Sequence, residues 1–345
     1  MKRRQLIQAT TTALGASGLA GLGLTGLAHA QTPAPAITPL APATTGAAAG
    51  FPNRPIRLAI AFPAGGPTDI TMRVLADNAS KVFGQPVVIE NRPGAGGTLP
   101  AVALQTAQPD GYLLAQIPLG VFRLPYTTRI TWDPVKDISY ILNVTGYAFG
   151  LVVPADGPIK SWADFVAWAR ANPGKLSYGS TGTLTSPHLT MEDIAQRLNL
   201  QLNHIPYRGS ADLMQSILGG QIMAAADSTG FAPHVESGKL RVLNTWGEQR
   251  LPKFRDAPTL RELGLNMVQN SPFGIGAPKA MAPDLMRRLH DGFKIAMDHP
   301  SYTEALARYD MVPMYMSSAA YTQFATETFA REKALVEKLG LNKPA

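Results

Sequence analysis

The sequence predicts an α/β fold of mostly parallel sheets flanked by helices, divided into two lobes by two chain crossings. Three observations carry this prediction. From Phe51 onward, short apolar runs alternate with stretches of helical period, as in successive βαβ units. Several of those runs end in turns rich in glycine or hydroxyls that lead straight into a helix. Two extended apolar segments with glycine, 144–153 and 270–277, stand where a chain would pass from one lobe to the other. With one departure and one return, the first lobe takes residues 51–147 and 272–345 and the second takes 148–271.

The chain begins with the parts of an export signal over residues 1–30: Lys2, Arg3 and Arg4, a mild Ala/Gly/Leu/Thr run, then Ala28-His29-Ala30 as a small-residue cleavage site. Arg3-Arg4 followed by Gln5 and Leu6 resembles a twin-arginine signal, with Sec export as the alternative route. Residues 31–50 are almost wholly Ala, Pro, Thr and Gly without charge, which reads as a flexible linker. The absence of cysteine excludes disulfides, a lipoprotein anchor and thiolate metal sites. An exported, unanchored, cysteine-free chain points to the periplasm. Without the three leader cations, 28 basic residues face 24 acidic ones, a balance of +4. That suits small anions. There is no basic run with interleaved aromatics, so nucleic acid is not an expected partner. Beyond the leader no apolar stretch approaches a bilayer span.

The first strand is Ile56, Leu58 and Ile60 with their alanines, and the helical face after it is Ile70, Val74, Leu75, Ala79 and Val82. Between them lie Pro63, Ala64, Gly65 and Gly66. Gly66 falls at the N-cap, Pro67 suits the first helical position, and Asp69 can reach back to free amides. Further strands are expected around Val88, Leu113, Val152, Ser177, His204 and Leu243, and at 222–226. Helices are expected over 161–170, 186–198, 211–218 and 232–237, then over 284–297, 301–308 and 319–339, where the chain turns mostly helical.

Gly-rich turns before helices let backbone approach a ligand, and the first-turn amides with the helix dipole favour an anion. The same glycines also serve where a turn only reverses the chain. Besides the first loop, Ser180-Thr181-Gly182-Thr183 runs through Thr185 and Ser186 into a helix that carries His188. Tyr207-Arg208-Gly209-Ser210 opens another helix, and Asp227-Ser228-Thr229-Gly230 follows a further run. Loops of this kind at strand ends line one crevice in open α/β sheets. The densest glycine loop, 91–97, lacks the spacing of a dinucleotide fingerprint, and no turn carries a phosphate-loop lysine.

Enzyme chemistry finds little to stand on. Ser180 is not in a nucleophile-elbow motif, His188 has no evident third triad member, and Asp69 reads as a cap more than as half of an acid/base pair with Asp227. The histidines show no metal-ligand spacing. The expectation is no catalysis, no metal and no cofactor.

Several segments in order settle a family resemblance: Phe51-Pro52-Asn53-Arg54-Pro55-Ile56-Arg57, Phe62-Pro63-Ala64-Gly65-Gly66-Pro67-Thr68-Asp69, Glu90-Asn91-Arg92-Pro93-Gly94-Ala95-Gly96-Gly97, Pro109-Asp110-Gly111-Tyr112 and His204-Ile205-Pro206-Tyr207-Arg208-Gly209-Ser210. From Phe51 to its end the chain resembles the Bug family, the periplasmic solute receptors of tripartite tricarboxylate transporters. The resemblance implies a two-lobe, Venus-flytrap periplasmic-binding-protein fold that holds a small carboxylate ligand between the lobes, without a cofactor, as a monomer that meets the transporter's membrane subunits. In the family, two loops act as pincers on one carboxylate through backbone amides and ordered water. Carried over, the first pincer is Ala64, Gly65, Gly66, Thr68 and Asp69. The second is Ser180, Thr181, Gly182, Thr183, Thr185 and His188, with Gly209, Ser210 and Asp227 nearby. Two departures stand out: Leu184 where the family often has a second glycine, and Ser271-Pro272-Phe273 in place of a tryptophan common near the second crossing. A ligand sensor for a signalling partner, or less readily an exported α/β hydrolase, would share much of this sequence.

Overall fold

The computed structural model describes residues 35–342. The export signal and its cleavage site lie outside the described residues. The order of elements is β1 (Ile56–Ile60), α1 (Pro67–Phe83), β2 (Val87–Asn91), α2 (Leu99–Leu104), β3 (Leu113–Ile117), α3 (Gly120–Thr127), β4 (Ile138–Tyr147), β5 (Phe149–Pro154), α4 (Trp162–Ala171), β6 (Leu176–Ser180), α5 (Ser186–Leu198), β7 (Leu202–Pro206), α6 (Ser210–Leu218), β8 (Ala224–Ser228), α7 (Ala232–Glu236), β9 (Leu240–Thr245), β10 (Ser271–Pro278), α8 (Pro283–Asp298), α9 (Pro300–Ala307), β11 (Pro313–Met316) and α10 (Ser318–Lys338).

Two sheets organise these elements. One has the order β11-β4-β10-β3-β1-β2 and the other β7-β6-β8-β5-β9. Each sheet with its helices forms a lobe. The sheets are mixed rather than mostly parallel. Strands returned by a helical crossover pair in parallel, β1 with β2 and β3, and β6 with β7 and β8. The strands that carry the chain between sheets run against their neighbours: β10 is antiparallel to β3 and β4, and β5 to β8 and β9. Only Ala148 separates β4 from β5. The segments read from sequence as short extended crossings are therefore parts of paired strands, with register shifts at Phe273/Gly274, Ile275/Gly276 and Leu151/Val152.

Helix α1 shows how local chemistry sets an element. Gly66 is its extended N-cap, Pro67 occupies the first turn, and Gly84 closes it at φ 67° with its amide on the Ser80 carbonyl. Its buried face carries Met72, Leu75, Ala79 and Val82, and Phe83 meets Phe293 of α8 edge-on at 5.5 Å. A Cβ on Gly292 would lie 2.2 Å from that Phe83 ring, so the close approach of the two helices depends on glycine. Among the described residues, no helix is long and apolar enough to cross a membrane.

The Ala/Pro/Thr segment departs from the flexible linker read from its composition. Over residues 35–50 it is docked on the first lobe. The Leu40 amide bonds the Val82 carbonyl at 2.9 Å, and Ala48 donates its amide to Asp284 at 3.0 Å. Arg288 and His299 donate to the carbonyls of Ala41 and Pro35. Ile37 and Leu40 pack on the main core and Ala48 is buried. A few apolar side chains, the Val82 carbonyl of α1, and polar groups of α8 and of His299 that satisfy its backbone hold a segment with no charge or period of its own.

Candidate functional site

A cavity of about 40 Å³ lies between the lobes, at the carboxyl ends of β1, β3, β6, β7 and β8. Its walls come from loops that begin helices: Gly66, Pro67 and Thr68 at α1, Thr185, Ser186 and Pro187 at α5, and Ser210 at α6. The amides of a helix's first turn have no partner inside the helix. With the start of α3, which lines the cavity through Leu119 and Gly120, four positive helix ends thus face one small space. Phe62, Pro63, Leu119, Tyr147 and Phe149 supply the apolar part of its lining.

The first loop is braced by a carboxylate. Asp69 accepts the Gly65 amide at 3.0 Å, the Asn91 side-chain amide at 2.8 Å and the Arg73 guanidinium at 2.8 Å. Burial raises its pKa, but the bonds from Arg73, Asn91 and the Gly65 amide outweigh burial and hold the carboxyl below its usual range. Asp69 is thus a brace whose oxygens are already engaged. Thr68 does face the cavity, its hydroxyl 2.7 Å from that of Tyr147, which also accepts from Gln116 at 2.8 Å. Ala64 and Gly65 are exposed and do not line the cavity, and a Cβ on Gly65 would meet nothing within 4 Å.

The second loop is braced by imidazoles. His188 Nδ1 accepts the Leu184 amide at 3.1 Å, which leaves the proton of the neutral ring on Nε2. His188 stacks on His204 with centroids 4.0 Å apart, and His204 Nε2 lies 2.7 Å from the Ser180 hydroxyl. Burial, with a smaller push from His188, takes His204 down to about 3, and burial also lowers His188. The Thr185 hydroxyl donates to the Gly182 carbonyl at 2.7 Å. Thr181 and Thr185 line the cavity, whereas Ser180, Gly182 and His188 lie behind it and Thr183 is exposed. Ser180 and His204 would be a nucleophile and base by distance alone, but Ser180 has 0% exposure and no face on the cavity.

In the third loop Gly209 is extended, with φ 167°, and a Cβ there would stand 2.6 Å from Pro63 of the first loop. Close approach between the lobes is the reason for glycine at this position. The Ser210 hydroxyl donates to Asp227, which is wholly buried and pushed up to about 7 by that burial. Ser210 and Ser228 reach the cavity, and Asp227 sits one layer behind them.

The sequence profile of the tripartite tricarboxylate transporter family receptor matches residues 71–341. The chain belongs to this receptor family. The receptor is 59% identical over 293 residues to the UPF0065 protein in the gbd 5′ region of Cupriavidus necator, covering 85% of this chain and 90% of the relative. It is 29% identical over 298 residues to BugT of Bordetella pertussis, with 84% and 90% covered. Among solved structures it is similar to the periplasmic binding protein BugD, with TM-score 0.81, 26% identity, and 85% and 100% of the two chains covered. It is also similar to an R. palustris protein with adipate, at TM-score 0.79 and 25% identity, with 85% and 100% covered.

Within the receptor, Leu184 keeps the backbone conformation that favours glycine, at φ 62°. Its side chain does not line the cavity. Ser271 does, beside Ser186, at the start of β10. Sequence reasoning missed Tyr147, Gln116 and Arg123. Arg123, on α3, is the one charged residue in the lining, and its side chain is 1% exposed. A basic residue in the stretch Gly120-Val121-Phe122-Arg123 offers no local signal, because its partner Glu332 is 209 residues away.

Proposed function

We propose that this receptor captures a small carboxylate-bearing solute between its lobes in the periplasm and presents it to the membrane subunits of a tripartite tricarboxylate transporter. The observation that carries this reading is the convergence of the first turns of α1, α5 and α6 on one cavity between two sheets. Helix N-termini supply amide donors and a positive end for an anion without a free cation. The carboxylate is assigned to Gly66, Thr68, Thr181, Thr185 and Ser210. Gly65, Asp69, Ser180, Gly182, His188, Gly209 and Asp227 shape those loops from behind. The lobes divide at 147/148 and 271/272, the bending points being Ala148 and the start of β10. The receptor acts as a monomer and turns nothing over, since the hydroxyl next to an imidazole has no access to the cavity.

A thermal-shift panel of mono-, di- and tricarboxylates tests this reading, because a solute that binds only the native state raises its apparent stability. Adipate belongs on the panel through the R. palustris relative. At 100 times its dissociation constant, a true solute should add about 2.7 kcal/mol. A flat response across all three classes, or sustained turnover of carboxylate esters that vanishes in Ser180→Ala, would overturn it.

A further inference from the structure

Arg123 stands on the first lobe and reaches across the cleft. Its Nε donates to Glu332 of α10 at 2.6 Å, one terminal nitrogen donates to the Leu184 carbonyl at 3.0 Å, and the other to the Ser186 hydroxyl at 3.1 Å. Leu184 and Ser186 belong to the second loop and to the first turn of α5, in the other lobe. The guanidinium and the Glu332 carboxylate are both buried, with side-chain exposures of 1% and 5%. Glu332 fixes the plane of the fork, and the two remaining corners clamp the second loop. The left-handed backbone of Leu184, whose amide is held by His188, sets the carbonyl that receives one corner.

We propose that Arg123 is a latch, a positioning residue that holds the second pincer against the first lobe, with Glu332 as the group that aims it. This goes beyond the carboxylate-receptor reading and rests on its assumption that the lobes open and close. In this role the guanidinium acts on backbone and hydroxyl of the opposite lobe, and not as the solute's counter-ion. All three of its bonds go to protein groups, so the latch needs no solute to form, and breaking it favours the open arrangement. A lysine keeps the charge for Glu332 but is a single point donor that cannot serve three acceptors in a fork.

The chain has no cysteine, so a label pair at Thr106→Cys and Ala167→Cys, both exposed and on opposite lobes, reports the distance between the lobes without interference. The comparison uses ligand-free protein with native Arg123, Arg123→Lys, and the double variant Arg123→Gln with Glu332→Gln, which leaves no buried charge unpaired. We expect a closed population with native Arg123, and an open-to-closed ratio on the order of tenfold higher in both variants, with melting temperature moved little in Arg123→Lys. Should the double variant not fold, Arg123→Lys decides. An unchanged distance distribution in the variants overturns the latch, as does native protein that is wholly open without solute. Neither result depends on the carboxylate panel in unlabelled receptor, whose failure would instead remove the receptor reading.

Discussion

The two pincer loops have the same outline, strand, Gly-rich turn and helix, yet they are braced by opposite means. The first is tied to its own lobe by an ionised carboxylate, Asp69, which gathers the Gly65 amide, Asn91 and Arg73. The second is propped from behind by neutral imidazoles and held from in front by Arg123 of the other lobe. The first loop can therefore keep its shape whether the cleft is open or closed. The second has part of its support only when the lobes meet. Under the proposed latch, the loop with its own charge network is the fixed jaw, and the one that borrows a partner from across the cleft is the moving jaw.

The sharpest way to break this contrast is at the borrowed partner. Arg123→Met alone should destabilise the protein by about 3–5 kcal/mol in urea unfolding, because it leaves Glu332 buried and unpaired. Next comes the fixed jaw. Asp69→Asn should cost roughly 1.5–3 kcal/mol, the range for hydrogen bonds to a charged group. The folded-state pKa of Asp69 is depressed, so its contribution is present above the unfolded value of 3.8 and lost as pH falls below it. Wild type and variant should converge in stability at that acid end. Equal differences at pH 7 and pH 3 would remove the ionic brace.

The moving jaw has a different pH signature. His204 is depressed from 6.5 to about 3, so its contribution is full above pH 6.5 and declines as pH falls toward 3. Asp227 behind Ser210 runs the other way. It is raised from 3.8 to about 7, so its contribution is full below pH 3.8 and is lost as pH rises through 7. Stability curves of His204→Gln and Asp227→Asn should each flatten in the named window and tilt in opposite senses against wild type. Tilts in the same sense would show that one of the two environments is misread.

Glycine substitutions give the smallest effects and separate strain from contact. Gly65→Val should cost about 1–2 kcal/mol of stability through its φ of 86° while leaving solute affinity nearly unchanged, since its Cβ points into open space. Gly209→Val has no such φ but drives a Cβ into Pro63, so affinity should fall while the isolated lobes stay folded. Leu184→Gly should change stability by less than about 1 kcal/mol, because relief of the left-handed leucine offsets the added freedom of the unfolded chain.

The order of strands and helices, the Gly-rich turns and the family were legible in the sequence because each rests on short-range chemistry. A helical period, a proline at a first turn and a glycine at a cap act within a few residues, as α1 and α5 show. The mixed pairing of the sheets was not legible, because strand direction is set by what the chain does between β4 and β5 and between β9 and β10. The docking of residues 35–50 was hidden for the same reason: Asp284, Arg288 and His299 satisfy that segment from more than 200 positions away. At the cavity, local pattern placed the helix starts that carry Gly66, Thr68, Thr185 and Ser210. It could not tell that Gly65 and Thr183 face solvent, that Asn91 of β2 engages Asp69, or that Arg123 lines the cleft, although the Arg73–Asp69 pair is only four residues apart on α1. Those outcomes turn on which segments pack together within and between the lobes, and proximity of that kind exists only once the whole chain has folded.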